Sequence, residues 1–386
     1  VTDGGTELNN GSTVVSANSY TLDWGLESYF GNISYDYSGK YLLTANVRRD
    51  GSSRFKLDDK KWGTFGSVGL GWVVSREEFM KNNSLFSNLK LKTSYGLVGD
   101  QAGVGYYPGY NTYEIFPLNG ETATPYNNVG YPLLTWEKAK TFQTELEFSL
   151  FKKRIIEGSV AFYSKTTDNL IFDRRTPTSL GYAIDKTNDG KLLNQGIEFT
   201  INANILRTEN AYISLGINGE LLKNKLTRMP IDPSTSLEKT IDVQGLYGWA
   251  EGKSIYDFYL QEWAGVNQQN GRGQWIMNYI DVDGNGTYST GDTKIANLHD
   301  FQLKNPNANI AQQVTENYSD ATLRYVGKSA IPKIMGGFTL NGGYKGFSLS
   351  AQFLYRIGGY AYDGAYASLM NNNRIGLNNW HKDMLQ

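Results

Sequence analysis

Apolar and polar residues alternate one by one through several stretches of this chain. In the clearest, Phe347, Leu349, Ala351, Phe353 and Tyr355 fall on one side, and Ser348, Ser350, Gln352 and Arg356 on the other, with Leu354 the exception. A period of two places successive side chains on opposite faces of a β-strand. A strand-like stretch over Lys333–Tyr344 precedes it, and the short Lys345-Gly346 link predicts a hairpin turn. The unit recurs. Asn32–Tyr37 and Tyr41–Arg49 meet through Ser38-Gly39-Lys40, with Ile33, Tyr35 and Tyr37, then Tyr41, Leu43, Ala45 and Val47, in alternation. Thr141–Phe151 and Ile155–Thr166 turn at Lys152-Lys153-Arg154, with Leu146, Phe148 and Leu150 as one set and Val160 and Phe162 as another. Ile197–Ile205 and Tyr212–Leu222 form a further pair, with Ile197, Phe199, Ile201, Ala203 and Ile205 on one face. The opposite faces are rich in Ser, Thr, Asn and Lys. Arg76–Met80 predicts one short helical turn.

Between these hairpins lie long polar segments, roughly 101–135, 173–192, 223–245 and 265–329. Compact soluble domains seldom carry structureless connections beyond about 12–15 residues. Outer-membrane barrels do, because one rim has tight turns and the other extended extracellular loops. The pattern therefore predicts an all-β fold, an antiparallel transmembrane β-barrel with its long loops outside. One continuous barrel portion over 1–386 is expected, with no linker marking a second domain.

Composition supports this and removes other classes. Tyr 27, Phe 17, Trp 8 and Gly 43 against Pro 9 favour strands and tight turns. No apolar run approaches the roughly 18 residues of a membrane helix. The mean hydropathy of -0.45 suggests a soluble protein, but a barrel wall with one lipid-facing residue in two averages as polar too. Formal net charge is -1, so nothing points to nucleic acid. With no cysteine and only His299 and His381, thiolate chemistry and multi-histidine metal centres are excluded within the chain.

Longer motifs add a family. Tyr41–Phe55 (YLLTANVRRDGSSRF) resembles a signature stretch of SusC/RagA-like TonB-dependent outer-membrane transporters. Trp62-Gly63, Gly69–Phe79 (GLGWVVSREEF), Leu89–Gly96 (LKLKTSYG) and Leu134–Lys138 (LTWEK) follow in that family's order. Tyr163–Ile171, Asn194–Phe199, Trp263–Val266, Tyr325–Lys328 and Gly336–Leu340 continue the similarity over essentially the whole chain. The resemblance implies a plugged barrel of roughly 22 strands, of which this chain supplies about half or more. It implies membrane lipid around the wall, energy from the TonB complex, and a SusD-like surface lipoprotein as lid. The cargo would be an oligosaccharide or oligopeptide. Signal peptide, TonB box, plug and early strands are expected outside these residues, and Met384-Leu-Gln386 lacks the aromatic ending of a last strand. An internal to C-terminal piece of the barrel is thus expected, as a fragment or with the remainder supplied by another chain.

Asp281–Asp292 (DVDGNGTYSTGD) has calcium-loop spacing: Asp281, Asp283 and Asn285 at positions one, three and five, Gly286 at the bend, and Asp292 closing at twelve. Thr287 would give its backbone carbonyl, and Ser289 would act through a water. The simpler reading is an Asx-rich turn. The flanking residues lack the two helices of an EF-hand, so the expected role is a calcium staple in an extracellular loop. Tyr106, Tyr107, Tyr110, Tyr113, Trp249 and Trp275, in or beside the long loops, are candidates for stacking on sugar or peptide cargo; most other aromatics belong to the interfacial belts. Arg48–Arg54 is expected to be a charged strand end, the alternative being a lumen-facing cluster that contacts the plug. Glu77-Glu78 and Asp58-Asp59 are expected to be solvated charge, and nothing pairs two carboxyls as a glycosidase requires. Asn10 and Asn317 head glycosylation-like triplets that carry no weight here. The functional expectation is an active nutrient importer without bond chemistry. A passive porin or a β-rich surface adhesin is the alternative.

Overall fold

The computed structural model describes residues 21–119, 121–151, 153–175, 184–232, 235–369 and 382. Asn10, Lys152, residues 176–183 of the second long segment, His381 and Met384–Gln386 lie outside the described residues. Ten strands form one antiparallel meander, each bonded to its neighbour in the series. They are β1 (Leu26–Tyr37), β2 (Tyr41–Ser52), β3 (Trp62–Val73), β4 (Phe86–Asp100) and β5 (Glu137–Leu150). After these come β6 (Ile156–Asp168), β7 (Lys191–Arg207), β8 (Ala211–Arg228), β9 (Ile334–Tyr344) and β10 (Phe347–Ile357).

The register joins the alternating patterns into two continuous faces. On one, Ile33 pairs with Ala45, Ala45 with Val68, Val68 with Tyr95 and Tyr95 with Phe142. Leu146, Val160 and Phe199 continue it, as do Ile201, Ile217, Phe338 and Phe353. Ile33 and Leu349 are 66% and 68% exposed, an arrangement water would penalise and lipid would not. The opposite face carries Asn46 beside Ser67, Lys92 beside Glu145, Thr339 beside Gln352 and Asn341 beside Ser350. There Lys92 Nζ lies 2.8 Å from Glu145 Oε2 and also contacts Glu147. A one-residue slip would exchange the two faces, so the pattern itself fixes the register. At Asn204/Leu206 a bulge takes Ile205 out of the paired row it was expected to extend.

The two ends of the sheet differ. At one end the connections are 38–40, 74–85, 151–155, 208–210 and 345–346; at the other they are 53–61, 101–136, 169–190 and 229–333. In the 345–346 turn both residues have positive φ, 44° at Lys345 and 89° at Gly346, the twist a two-residue hairpin demands. The turn over 74–85 holds two 3₁₀ turns, Val74–Arg76 and Glu78–Met80, with Glu77 extended at ψ 152° between them. The single helical turn expected over Arg76–Met80 is therefore broken at Glu77. That carboxylate accepts from Tyr41 Oη (2.6 Å), Trp72 Nε1 (3.1 Å) and Lys40 Nζ (3.1 Å). These donors hold its carboxyl at about 2, well below the usual range, with the Tyr41 bond the largest cause. Glu77 is thus a tie between neighbouring turns rather than simple solvated charge. Glu78, Asp58 and Asp59 do stay exposed, beside Lys81, Lys61 and Lys60.

The long connections are folded. Strand β8 runs to Arg228, beyond the Leu222 boundary expected from pattern, because Leu226 packs with Phe172 and Met229. Segments Ile171–Arg175 and Ile184–Asn188 pair, and within 112–128 a short ladder of Thr112–Tyr113 with Tyr126–Asn128 encloses the Phe116–Leu118 and Glu121–Ala123 hairpin. The 229–333 excursion holds two sheets. Asp242–Gln244, Tyr247–Trp249, Asp257–Gln261 and Leu323–Ser329 form the first. Trp263–Val266, Gly273–Ile280, Thr293–Ile295 and Ile310–Thr315 form the second, and Leu298–Lys304 is a helix capped by Asn297. Among the described residues, every buried apolar side chain except Val73 and Ala161 sits at this rim or in these loops.

Candidate functional site

The rim with long loops carries both sets of residues singled out by sequence. Its inner corner is a packed knot. Phe55 and Phe65 stand with ring centroids 5.4 Å from that of Trp136, and Leu134 and Val104 complete the cluster. Trp136 Nε1 donates to the Lys61 carbonyl at 2.9 Å and Thr135 Oγ1 to that of Lys60 at 3.1 Å, fixing the 101–136 loop over the 53–61 loop. Gly63 and Gly99 flank Phe65, where an added Cβ would stand 2.2 and 2.0 Å from its ring. Arg48–Arg54 is therefore no simple exposed strand end. Asp50 and Ser52 are buried, Arg48 binds Asp50 at 2.6 Å, and Ser52 donates to Gln101. Arg49, on the opposite face, lies over Trp62 at 5.2 Å, and Tyr29 stacks on the same ring at 6.2 Å. That group has the composition of an interfacial aromatic belt.

Four of the six candidate aromatics lie on the 101–136 loop. Tyr106 lies 5.4 Å from the Arg54 guanidinium, which also covers Trp24 at 4.8 Å. Tyr107 stands edge-on to Tyr110 at 6.5 Å and donates to the Asp23 carbonyl at 3.2 Å, while Lys56 reaches Tyr110 at 5.5 Å. Tyr113 stacks on Tyr126 at 4.9 Å. Tyr106, Tyr107 and Tyr113 are exposed. Trp249 and Trp275 stand apart. Trp249 packs on Phe172 at 5.5 Å and donates to the Ile255 carbonyl at 2.9 Å. Trp275 sits between Trp263 and Tyr318, both at 5.3 Å. Both indoles thus serve the packing of the outer layer. Exposed Trp24 and Tyr126 join the group unannounced by sequence, because only the loop's closure brings them within reach; Arg54, half-buried, comes to it from the Arg48–Arg54 stretch.

The Asp281–Asp292 loop is a hairpin tip. It joins Gly273–Ile280 to Thr293–Ile295, whose last ladder pair is Ile280 with Thr293. One carboxylate oxygen from each of Asp281, Asp283 and Asp292 lies within 4.8 Å of the others. Asp281 Oδ2 accepts from the Gly286 amide at 3.0 Å; Asn285 Oδ1 accepts from the Thr287 amide at 2.6 Å, and its Nδ2 donates to Asp283 at 2.6 Å. Asp292 accepts from the Val282 and Ser289 amides at 3.0 and 2.7 Å, bonds that lower its pKa. Ser289 Oγ faces both Asp283 and Asp292, at 3.5 and 3.3 Å. His299 is no part of this group: its ring stands edge-on to Tyr325 at 5.3 Å, and burial lowers its pKa.

A sheet with one apolar and one polar face, tight turns on one rim and folded loops on the other, is a section of an outer-membrane barrel wall. The described sheet is open at β1 and β10. Lipid tolerates no open edge, so further strands must complete the wall. The chain belongs to the family described as TonB dependent receptor-like, beta-barrel, whose model matches residues 2–230, and its place is the outer membrane. TonB-dependent receptor SusC of Bacteroides thetaiotaomicron is 32% identical over 291 residues, covering 70% of this chain and 28% of SusC. TonB-dependent receptor P39 of Formosa agariphila is 28% identical over 371 residues, 92% of this chain and 34% of that protein. The chain therefore spans about a third of the length of these relatives. Among solved structures, the RagAB peptide transporter superposes with a TM-score of 0.73 at 23% identity, over 91% of this chain and 36% of that one. That similarity shows the fold alone.

Proposed function

We propose that this chain is part of an active outer-membrane importer that takes up oligosaccharides or oligopeptides. A surface lipoprotein of the SusD kind would act as its lid and the TonB complex as its energy source. The observation that carries this reading is the joining of a polar inner face to a folded outer layer bearing exposed Tyr106, Tyr107 and Tyr113. Tyrosine rings offer large flat contact area and a hydroxyl handle at small entropic cost, which suits both sugar rings and peptide side chains. The chemistry assigned to the wall is passage and binding, without bond cleavage.

Purification of the whole parent protein in detergent tests this. The expected result is a co-isolated surface lipoprotein and a bound oligomer visible by mass spectrometry, with uptake abolished when the proton-motive force is collapsed. Uptake indifferent to an uncoupler would favour a passive porin. A monodisperse protein without detergent would favour a surface adhesin. Either result overturns the proposal.

A further inference from the structure

We propose that the Asp281–Asp292 hairpin tip holds one calcium ion, and that two β-strands here do the positioning that two helices do in an EF-hand. Three acidic side chains alone would be an ordinary solvated cluster. Asp281 is different. It is 6% exposed, and its Oδ1 is buried with no hydrogen-bond partner. Leaving a buried carboxylate oxygen unpaired is costly, and a bound cation is the partner such an oxygen lacks. Among the described residues, no lysine or arginine pairs with Asp281, Asp283 or Asp292; Lys294, next along the strand, is taken by Asp320 at 2.7 Å. Directly behind the loop, Tyr279 is fully buried and its hydroxyl too has no partner.

The backbone explains how the ligands are held. Asp281 and Asp292 immediately flank the Ile280–Thr293 ladder pair, so the sheet sets the first and last ligands across from one another. Asn309 fixes the first from the other side, its carbonyl accepting from the Asp281 amide at 3.0 Å and its Nδ2 donating to the Asp281 carbonyl at 3.1 Å. Gly284 and Gly286, with φ of 71° and 74°, let the chain fold back so that Asp283 joins Asp281 and Asp292, with the Asn285 amide nitrogen turned to Asp283. Calcium takes oxygen ligands at about 2.3–2.6 Å, so opposed ligands lie about 4.6–5.2 Å apart. Carboxylate oxygens within 4.8 Å of one another are close enough for one such ion to reach all three. Magnesium demands near-ideal octahedral geometry and gives up its waters reluctantly, which a set of protein oxygens on a hairpin tip suits less well. Tyr288, inside the loop, stands edge-on to Tyr279 at 5.4 Å, and its amide donates to Gln313 Oε1 at 3.2 Å. Filling the site therefore ties the tip to the core of the second outer sheet.

The test is terbium binding to the whole parent protein, folded in detergent and stripped with chelator. Tyr279 and Tyr288 are placed to sensitise the lanthanide. The expected result is saturable terbium luminescence displaced by calcium, with a calcium-dependent rise in the melting temperature of the outer layer. Asp283→Asn, at an exposed position, should weaken binding by at least about tenfold, the loss that even groups supporting a metal ligand produce. Its strand circular dichroism should stay unchanged, separating lost binding from misfolding. Luminescence identical in the wild-type and Asp283→Asn chains, or no calcium-dependent melting shift, would overturn the site. An equal shift from magnesium would overturn the assignment to calcium. None of these outcomes depends on cargo or energy coupling.

Discussion

The wall and the outer layer of this molecule are built on opposite principles from one continuous chain. In the wall, Ile33, Leu70, Leu349 and Phe353 are large apolar residues left exposed, and stability comes from lipid contact and from ladder hydrogen bonds. In the outer layer, Phe55, Leu134, Leu226, Tyr259 and Tyr279 are buried almost completely, as in a water-soluble protein. The difference is one of solvent. Where the surroundings are hydrocarbon, the apolar side chain points out; where they are water, it must find other side chains.

That contrast can be broken at chosen positions. The largest effect is expected at the inner corner of the outer layer. Trp136→Ala removes the ring between Phe55 and Phe65 and should cost about 3–5 kcal/mol, read as early protease cleavage within 101–136 while the wall stays folded. Next, Leu340→Arg puts a charge on the lipid face and should cost about 2–4 kcal/mol near the bilayer midplane. Its neighbour Thr339→Arg, on the polar face, should be tolerated. Urea unfolding from vesicles distinguishes the two, and equal costs would break the assignment of faces. A smaller effect belongs to Phe338 and Phe353, stacked at 4.6 Å and 13°. A double-mutant cycle to leucine should return a coupling of about 0.5–1.5 kcal/mol.

The smallest is at the rim of short turns. Glu77 has its carboxyl lowered from 4.5 to about 2 in the folded protein. A depressed folded value means the contribution is fully present above the ordinary carboxylate range. It is lost as pH falls from about 4.5 toward 2. Trp72 fluorescence should report an acid transition in this window that Glu77→Gln removes.

Much of the wall was legible in sequence. Period-two stretches such as Phe347–Tyr355 specify a strand, a face and a register together, and Lys345-Gly346 specifies the turn. The outer layer was not. Its strands are short and mutually covering, so Tyr259 and Tyr279 alternate with nothing that betrays their burial. The strand pairing of Asp257–Gln261 with Leu323–Ser329 spans a long sequence separation that no local pattern records. Trp249 and Trp275 illustrate the consequence: in sequence they look like loop aromatics, and in three dimensions they are packed against Phe172, Trp263 and Tyr318. The Asp281 loop lay between these extremes. Its ligand spacing was readable, whereas the buried, unpartnered oxygen and the strands that present it were not.

The central claim is that alternate residues of the ten strands face lipid and an aqueous lumen. Because the chain has no cysteine, single cysteines can be introduced along β10 without altering any other position. Labels at Leu349, Ala351 and Phe353 should respond to a lipid-phase quencher and resist an aqueous thiol reagent, and labels at Ser348, Ser350 and Gln352 should do the reverse. A reactivity profile without a two-residue period, or one with the two sets exchanged, would contradict the account.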